Sequence, residues 1–476
     1  MITAEEETYY FTYDKAGRRR SIQDELGTET YAYNAMDLLC LVTDGLGNTE
    51  KYYYNLVYDL EKIVRPNACQ QKGGKEAGEK YEYDAFHRRL CHINALGDVY
   101  VTQRDLEGNV KKEIHPNSYQ KEKNDGEGIS YEYDADDRRI KILYPDGGVE
   151  RYFYDANGNL KKKILPMQYQ EKQEDGEGFC YFYDKENRLI QINDPEGTTL
   201  WRYLYDLHGN IIKKINTLGY ESGNDDESRI GSLYFYNELG WLLEERVPEK
   251  VEKDITWYKL TTYEYDKVGN CIKERYYKEY QTKTSKFGKV HDISYRYDRK
   301  NRLIEVIDNT GAAISYQYNC QNQITYEERK INETTKQIFT YQYDAAGNLV
   351  RSSQTVDKAG CGKEFASIKY SYDKNGNMIK ITLPYGAEIR QEYDVLDRLI
   401  SEKQIEKKTG IKNHIKYEYD KAGNVVRVTN QEGKELRLEY DYKNQEIRQI
   451  EIDGSVTRKF YNKNGFLEKI ISPNQY

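Results

Sequence analysis

The chain carries 80 Asp and Glu residues, so close acidic pairs such as Asp175 and Glu177 arise from abundance alone. A carboxylate pair catalyses when burial splits its two pKa values, and these two sit in a Gly-rich loop that water should reach. Six histidines (His87, His92, His115, His208, His291 and His414) form no H-x-x-x-H pair and flank no nucleophile. His87 holds a turn position and His115 precedes Pro116, so both have structural explanations. Seven cysteines (Cys40, Cys69, Cys91, Cys180, Cys271, Cys320 and Cys361) are odd in number and lie in no C-x-x-C pair. They read as isolated free thiols rather than a disulfide framework or a metal site. The DGEG tetrapeptides at 125–128 and 175–178 gather oxygens on tight loops, but they lack the ligand spacing of a calcium loop and read as solvated acidic loops. Nothing resembles a P-loop or a G-x-G-x-x-G after a strand. The expectation is no enzyme, no metal and no cofactor.

What is regular in the sequence is a phrase. Residues 341–350 read YQYDAAGNLV, and variants return as YFYDANGNL at 152–160 and YEYDKAGNV at 417–425. Anchoring each copy on the Asp or Asn after the Tyr gives nineteen units, numbered here in chain order. The anchors are Asp14, Asn34, Asn55, Asp84, Asp105, Asp134, Asp155, Asp184, Asp206, Asn237, Asp266, Asp298, Asn319, Asp344, Asp373, Asp394, Asp420, Asp441 and Asn462, mostly 21 or 29 residues apart. A fixed period of this size marks an array in which neighbours supply each unit's burial, so residues 1–476 are expected to form one repeat domain.

Tyr precedes the anchor in 18 of the 19 units, Arg104 being the exception, and a second Tyr stands two residues earlier in 14. Residues two apart on a strand share a face, so pairs such as Tyr341 and Tyr343, Tyr370 and Tyr372, and Tyr417 and Tyr419 should build an aromatic ladder. The third residue after the anchor is Gly in ten units and Asn, Asp or His in eight more, all types enriched at positive φ. Asp344 with Gly347, Asp373 with Gly376, and Asp420 with Gly423 therefore read as hairpin turns closed by a left-handed residue. In the nine short units another Gly stands thirteen after the anchor (Gly27, Gly47, Gly97, Gly147, Gly197, Gly311, Gly386, Gly433 and Gly454) and marks a second turn. Longer units replace that turn with loops such as RPNACQQKGGKEAGE, HPNSYQKEKNDGEG and LPMQYQEKQEDGEG, always at the same place.

Only 38% of residues are hydrophobic and 32% are charged, while Tyr alone supplies 49, which is too polar for a solid core of this size. Two strands per unit at ~4.8 Å each give roughly 180 Å of antiparallel ribbon, and accumulated twist must coil it. The fold expectation is all-β, a hairpin ribbon wound into an open spiral. A net charge of −8 argues against a nucleic-acid partner, no run of apolar residues is long enough to span a bilayer, and MITAEEETYY has no signal-peptide core.

The phrase Y-x-Y-D-x-x-G-[NR]-L at this spacing, over nearly the whole chain, resembles the YD-repeat or Rhs-repeat family. That resemblance implies the β-hairpin spiral shell of bacterial Rhs polymorphic toxins, insecticidal toxin complexes and teneurins, in which the shell encloses a C-terminal toxic polypeptide. Closure and release in that family depend on a core segment with an autoproteolytic aspartate site, and no match to it is found here. The final ISPNQY matches the first residues of the inserts at 114–120 and 164–170, so the expectation is an array truncated at its C-terminus. Its partners would be the missing core and toxin segments of a longer, secreted or surface protein, and its free end strands should invite self-association. The alternative is a cell-surface adhesion module whose exposed tyrosines bind glycans or proteins.

Overall fold

The computed structural model describes residues 8–69, 76–172, 176–252, 255–281, 286–287, 290–332, 335–358, 363–407 and 409–473. Among the described residues thirty-nine strands form one sheet, and successive strands along the chain pair antiparallel. The tyrosine phrase forms the first strand of each unit and the residues after the turn form the second. Ile129–Tyr133, for example, turns back at Asp134 into Arg139–Leu143, with a bulge between Glu132 and Tyr133. That bulge follows from the left-handed residue in the turn, because one strand must absorb an extra residue there.

Among the described residues only ten apolar side chains are buried, so no continuous core exists. Four of them, Val64, Ile114, Ile164 and Ile215, stand nine residues after the anchors of units 3, 5, 7 and 9. The insert of each of these units folds back over that residue. Gly78 packs on Val64, Gly128 on Ile114, Gly178 on Ile164 and Gly231 on Ile215, each so closely that a Cβ would collide. Short helical turns, Pro66–Cys69 and Thr217–Glu221, complete two of the loops. An acidic side chain then closes the loop onto the sheet. Lys51 donates to Glu76 at 2.5 Å, Lys112 to Asp125 at 3.0 Å, and Arg202 to Asp226 at 2.7 Å.

Other inserts are not loops, which departs from the sequence expectation. Leu242–Glu252 with Ile255–Tyr265, Cys271–Gln281, Ile324–Asn332 with Thr335–Tyr343, Leu349–Lys358 with Lys363–Tyr372, and Leu399–Glu406 with Gly410–Tyr419 simply continue the ladder as extended hairpins. Residues nine past their anchors are Arg246, Arg275, Glu328, Ser353 and Lys403, polar side chains that give a loop nothing to fold over.

The ribbon coils with a period that its own contacts reveal. Gln321 donates to Asp24 at 2.8 Å, Asn67 Nδ2 to Asp373 at 2.8 Å, Asn117 Nδ2 to Asp420 at 2.9 Å, and the Met167 amide to Asn464 at 2.9 Å. The Tyr144 ring lies 6.3 Å from that of Tyr442, Gly45 packs on Ala345, and Ala95 and Leu96 share a crevice with Asp394 and Val395. Units 1 to 7 thus meet units 13 to 19 in order, twelve apart, and Gly27 of unit 1 and Arg65 of unit 3 reach the neighbouring turn as well, against Ala345 and Asp397. Each coil turn is twelve units, and the second-turn edge of one coil lies on the tyrosine-turn edge of the next.

Candidate functional site

The recurrent site of this molecule is the turn edge. Asp344 Oδ1 accepts the amides of Ala346 at 3.0 Å and Asn348 at 2.9 Å, and Asp373 does the same for Asn375 and Asn377. Asp420 accepts from the Asn424 amide at 2.8 Å. The residue three past the anchor has positive φ in all nineteen units, from 59° to 109°, with Gly347 at 84°, Gly376 at 87° and Gly423 at 96°. An L side chain is strained there, which explains why Gly, Asn and Asp dominate.

The anchor's second oxygen holds the side chain four residues on. Arg138 donates to Asp134 at 2.7 Å and Asn159 to Asp155 at 3.0 Å. These partners hold the Asp134 and Asp155 carboxyls below the ordinary carboxylate range, the side-chain hydrogen bond being the largest cause in each. Across the coil the same oxygens act as docking points. Asp420 Oδ2 accepts from both Asn424 and Asn117, and Asp373 Oδ2 from both Asn377 and Asn67.

Sixteen of the eighteen tyrosines just before an anchor, all but Tyr13 and Tyr440, share a use that the sequence reading did not identify. The hydroxyl donates to the carbonyl five residues past the anchor of the preceding unit, as Tyr343 to Ile324, Tyr372 to Leu349 and Tyr419 to Leu399, at 2.7–2.9 Å. The same bond recurs from Tyr33 to Arg19 through Tyr461 to Glu446. Phe at these positions would pack but not bond, so the hydroxyl is what selects Tyr. The tyrosine three before the anchor pairs with other polar groups. Tyr341 donates to Glu327 at 3.3 Å, and Tyr370 lies 3.1 Å from the Ser352 hydroxyl. Burial raises the Tyr417 phenol, with Glu402 adding to the shift, and burial pushes Tyr52 and Tyr81 to about 12 with help from Glu50 and Glu79.

Other expected features are placed as follows. His87 sits at the left-handed turn position, φ 63°, and its Nδ1 lies 2.8 Å from Asp59. His92 stacks between Tyr81 and Tyr100 with centroids 5.1 and 5.3 Å away. Six of the seven cysteines are described and none of the six is bridged. Asp125 of the first DGEG is 48% exposed, in keeping with a solvated loop, and Lys112 and Gln103 also hold it. Asp175 of the second lies outside the described residues. Gly27 is a correction: it lacks the positive φ of the other second-turn glycines, and its missing Cβ instead makes room for the Ala345 methyl, which a Cβ would approach to 2.9 Å. Among the described residues no cluster of three or more His, Cys, Asp or Glu side chains is placed to hold a metal, and no helix is long and apolar enough to cross a membrane.

Comparison with known proteins fits this geometry. The RHS Repeat pattern matches residues 13–49, and the Teneurin YD-shell pattern matches residues 162–359 and 312–465. No curated protein matches. The crystal structure of TcdB2-TccC3-TEV shares the fold with a TM-score of 0.67 at 14% identity, covering 95% of this chain and 27% of that one. The structure of the Photorhabdus luminescens Tc holotoxin pore with a TccC3 mutation gives 0.65 at 14% identity, covering 97% of this chain and 25% of that one. The chain therefore spans about a quarter of the length of these solved chains. Because the shell pattern spans most of residues 162–465 and the tyrosine turns repeat from end to end, the chain belongs to the teneurin YD-shell family of YD/Rhs-repeat proteins.

Proposed function

We propose that this chain is a wall segment of an encapsulating shell that holds a toxic polypeptide inside the coil of a longer, secreted or surface-exposed protein. The twelve-unit coil contact carries the reading, since it converts an open ribbon into a stacked wall whose turn edges shield one another. Twelve units of two strands at ~4.8 Å give roughly 115 Å of sheet per coil turn, a ring some 35–40 Å across at the backbone. The tyrosine face is the more covered one. From Tyr33 to Tyr461 the residue before the anchor is half-buried, whereas the residue two before it is exposed in fourteen of these eighteen units. Side chains converge on the concave side of a curved sheet, so the tyrosines face the lumen and the repeats supply shape rather than chemistry.

A glycan-binding tyrosine ladder is the weaker reading, because the hydroxyls before the anchors are already spent on neighbouring carbonyls. The shell reading is tested by fusing a permanently unfolded, cysteine-free polypeptide after Tyr476 and exposing the fusion to trypsin. Cleavage of the tail at least tenfold slower than that of the free polypeptide supports enclosure. Cleavage at the free rate overturns it.

A further inference from the structure

The inserts of units 3 and 9 lie on the sheet face opposite the tyrosines, and one acidic residue holds each of them there in the same way. Glu76 accepts Lys51 Nζ on its carboxylate at 2.5 Å and Lys62 Nζ on its main-chain carbonyl at 2.7 Å. Asp226 accepts Arg202 on its carboxylate at 2.7 Å and Lys213 Nζ on its carbonyl at 2.6 Å. Lys51 and Arg202 stand four before their anchors and Lys62 and Lys213 seven past, and each insert closes over a buried residue nine past, Val64 or Ile215. A seat for an acidic peptide on this face is thus two cations beside one β-branched side chain.

The same three residue types occur together in seven of the nineteen units, namely 3, 7, 9, 15, 17, 18 and 19. Unit 7, with Arg151, Lys162 and Ile164, has an insert of its own. Units 15, 17 and 18 have none, because their second turns close tightly at Gly386, Gly433 and Gly454, all with positive φ. They nevertheless carry Lys369, Lys380 and Thr382, then Lys416, Arg427 and Thr429, then Arg437, Arg448 and Ile450. Units 1, 2, 4, 6, 8 and 12, equally short, never carry both cations.

The seats without inserts are more exposed and less satisfied than the filled ones. The Arg437 side chain is 57% exposed, whereas its counterpart Arg202 is 23% exposed. Among the described residues Lys369 and Lys416 are exposed and have no ion pair, while Arg427 Nε and Arg448 Nε are buried with no hydrogen-bond partner. Lys380 stands directly opposite Arg390, and Arg427 directly opposite Arg437. Like charges opposed on one sheet face are destabilising. The five carboxylates of this face in units 15 to 18, Glu388, Glu392, Glu418, Glu435 and Glu439, are outnumbered by eight cations, in a chain whose net charge is −8. A local conflict of this kind marks a face that a partner completes.

We infer that units 15, 17 and 18 form a docking strip for an acidic, glycine-containing segment of a partner protein, which takes on these seats the place that the inserts of units 3 and 9 take on theirs. Its carboxylates pair with Lys369, Lys416 and Arg437, and its carbonyls accept from Lys380, Arg427 and Arg448. Two strands at ~4.8 Å advance each unit by roughly 10 Å, so an extended segment at ~3.3 Å per residue meets a seat with about every third residue. Because a main-chain carbonyl holds the second cation of each filled seat, the seat suits a peptide rather than a polyphosphate or a lipid headgroup. The inference adds a partner to the shell reading and takes from it that this face is the outer one.

The test titrates the intact chain at low salt with a fluorescent peptide, Gly-Asp-Asp repeated four times, and with its Gly-Asn-Asn counterpart. The acidic peptide should bind at least tenfold more tightly, and Lys416→Glu with Arg437→Glu should weaken it at least tenfold. Lys15→Glu with Lys267→Glu, the same change of charge at exposed turn positions of units 1 and 11, should leave it within twofold. A measurement on the unaltered chain keeps the answer independent of how the variants fold. Bound peptide should slow reductive methylation of Lys369 and Lys416 at least fivefold and leave Lys15 and Lys267 unaffected. Equal binding of the two peptides, equal effects of the two double variants, or protection elsewhere overturns the inference, as does tighter binding of polyphosphate or of phosphatidylserine vesicles than of the peptide. A fused tail shielded from trypsin, in a chain that binds no acidic peptide, would overturn the strip and leave enclosure standing.

Discussion

Units 3, 5, 7 and 9 and units 10, 11, 13, 14 and 16 receive their extra residues at the same place and fold them in opposite ways. In the first group the insert closes over a β-branched side chain nine past the anchor, and three of the four loops dock on the next coil. In the second group that position is Arg, Glu, Ser or Lys, and the insert prolongs the ladder into a raised hairpin. A single buried residue supplies the small hydrophobic gain that lets a loop give up ladder hydrogen bonds, and without it the backbone satisfies itself by continuing the sheet. The loop units therefore knit coil to coil, while the hairpin units lengthen the strands of the wall.

The comparison breaks most easily at its buried residue. Ile164→Ala should cost about 3 kcal/mol in urea unfolding, because it empties a fully buried site under the loop. Lys403→Ala, at the same repeat position in unit 16, loses only a partly exposed ion pair with Glu392 and should cost under about 1 kcal/mol. Equal costs would show that position nine does not decide the insert's form.

Crowded and open turns separate next. At Gly45 a Cβ would stand 2.3 Å from the Ala345 carbonyl oxygen, so Gly45→Ala must push the coils apart at a cost of about 2 kcal/mol. Gly433→Ala, in a second turn with nothing within 4 Å, bears only left-handed strain at φ 77° and should cost about 1 kcal/mol. Only the first should raise amide exchange in a distant unit. Gly347→Val tests the tyrosine turn itself, with about 1 kcal/mol or more from strain at φ 84°.

The tyrosine ladder runs through both groups and should not distinguish them. Tyr419→Phe and Tyr183→Phe each remove one hydroxyl-to-carbonyl bond and should each cost about 1 kcal/mol. Alkaline titration gives the matching pH dependence. Burial pushes Tyr81 and Tyr326 to about 12, above their unfolded value near 10, so their contribution is complete below pH 10 and is lost as pH rises toward 12. Phenolate absorbance and unfolding should rise together in that window, for loop and hairpin units alike. Acid acts on both groups through different carboxylates. Arg202 and Lys51 hold Asp226 and Glu76 below the ordinary carboxylate range, so the loops they close should loosen as pH falls through those lowered values. In unit 13 Lys336 does the same for Glu328, so that hairpin weakens in acid while its ladder hydrogen bonds persist.

Much of this was legible in the sequence because turn chemistry is local: an Asp or Asn with a left-handed residue three later fixes a hairpin wherever it stands. The coil was foreseeable as a consequence of twist, but its twelve-unit period was not, since Asn117 and Asp420 carry no mark that they meet across 303 residues. The two kinds of insert were readable and missed. Val64, Ile114, Ile164 and Ile215 against Arg246, Arg275, Glu328, Ser353 and Lys403 is a one-position pattern. All eight prolines stand eleven past an anchor, and among the described turns and strands they mark where a turn begins, as at Pro66, or where the ladder bulges, as at Pro248. The tyrosine hydroxyl's partner escaped because it belongs to the preceding unit, beyond the reach of strand-face periodicity.

The central claim is the contact between units twelve apart, and zero-length carbodiimide cross-linking tests it most directly. Asn117 Nδ2 lies 2.9 Å from Asp420 Oδ2, so an Asn117→Lys variant places an amine beside that carboxylate. The account predicts an intramolecular cross-linked peptide joining the introduced amine to Asp420, found in the monomer band by mass spectrometry. A folded variant whose introduced amine links instead to an anchor of another unit, or to none, would contradict the twelve-unit coil.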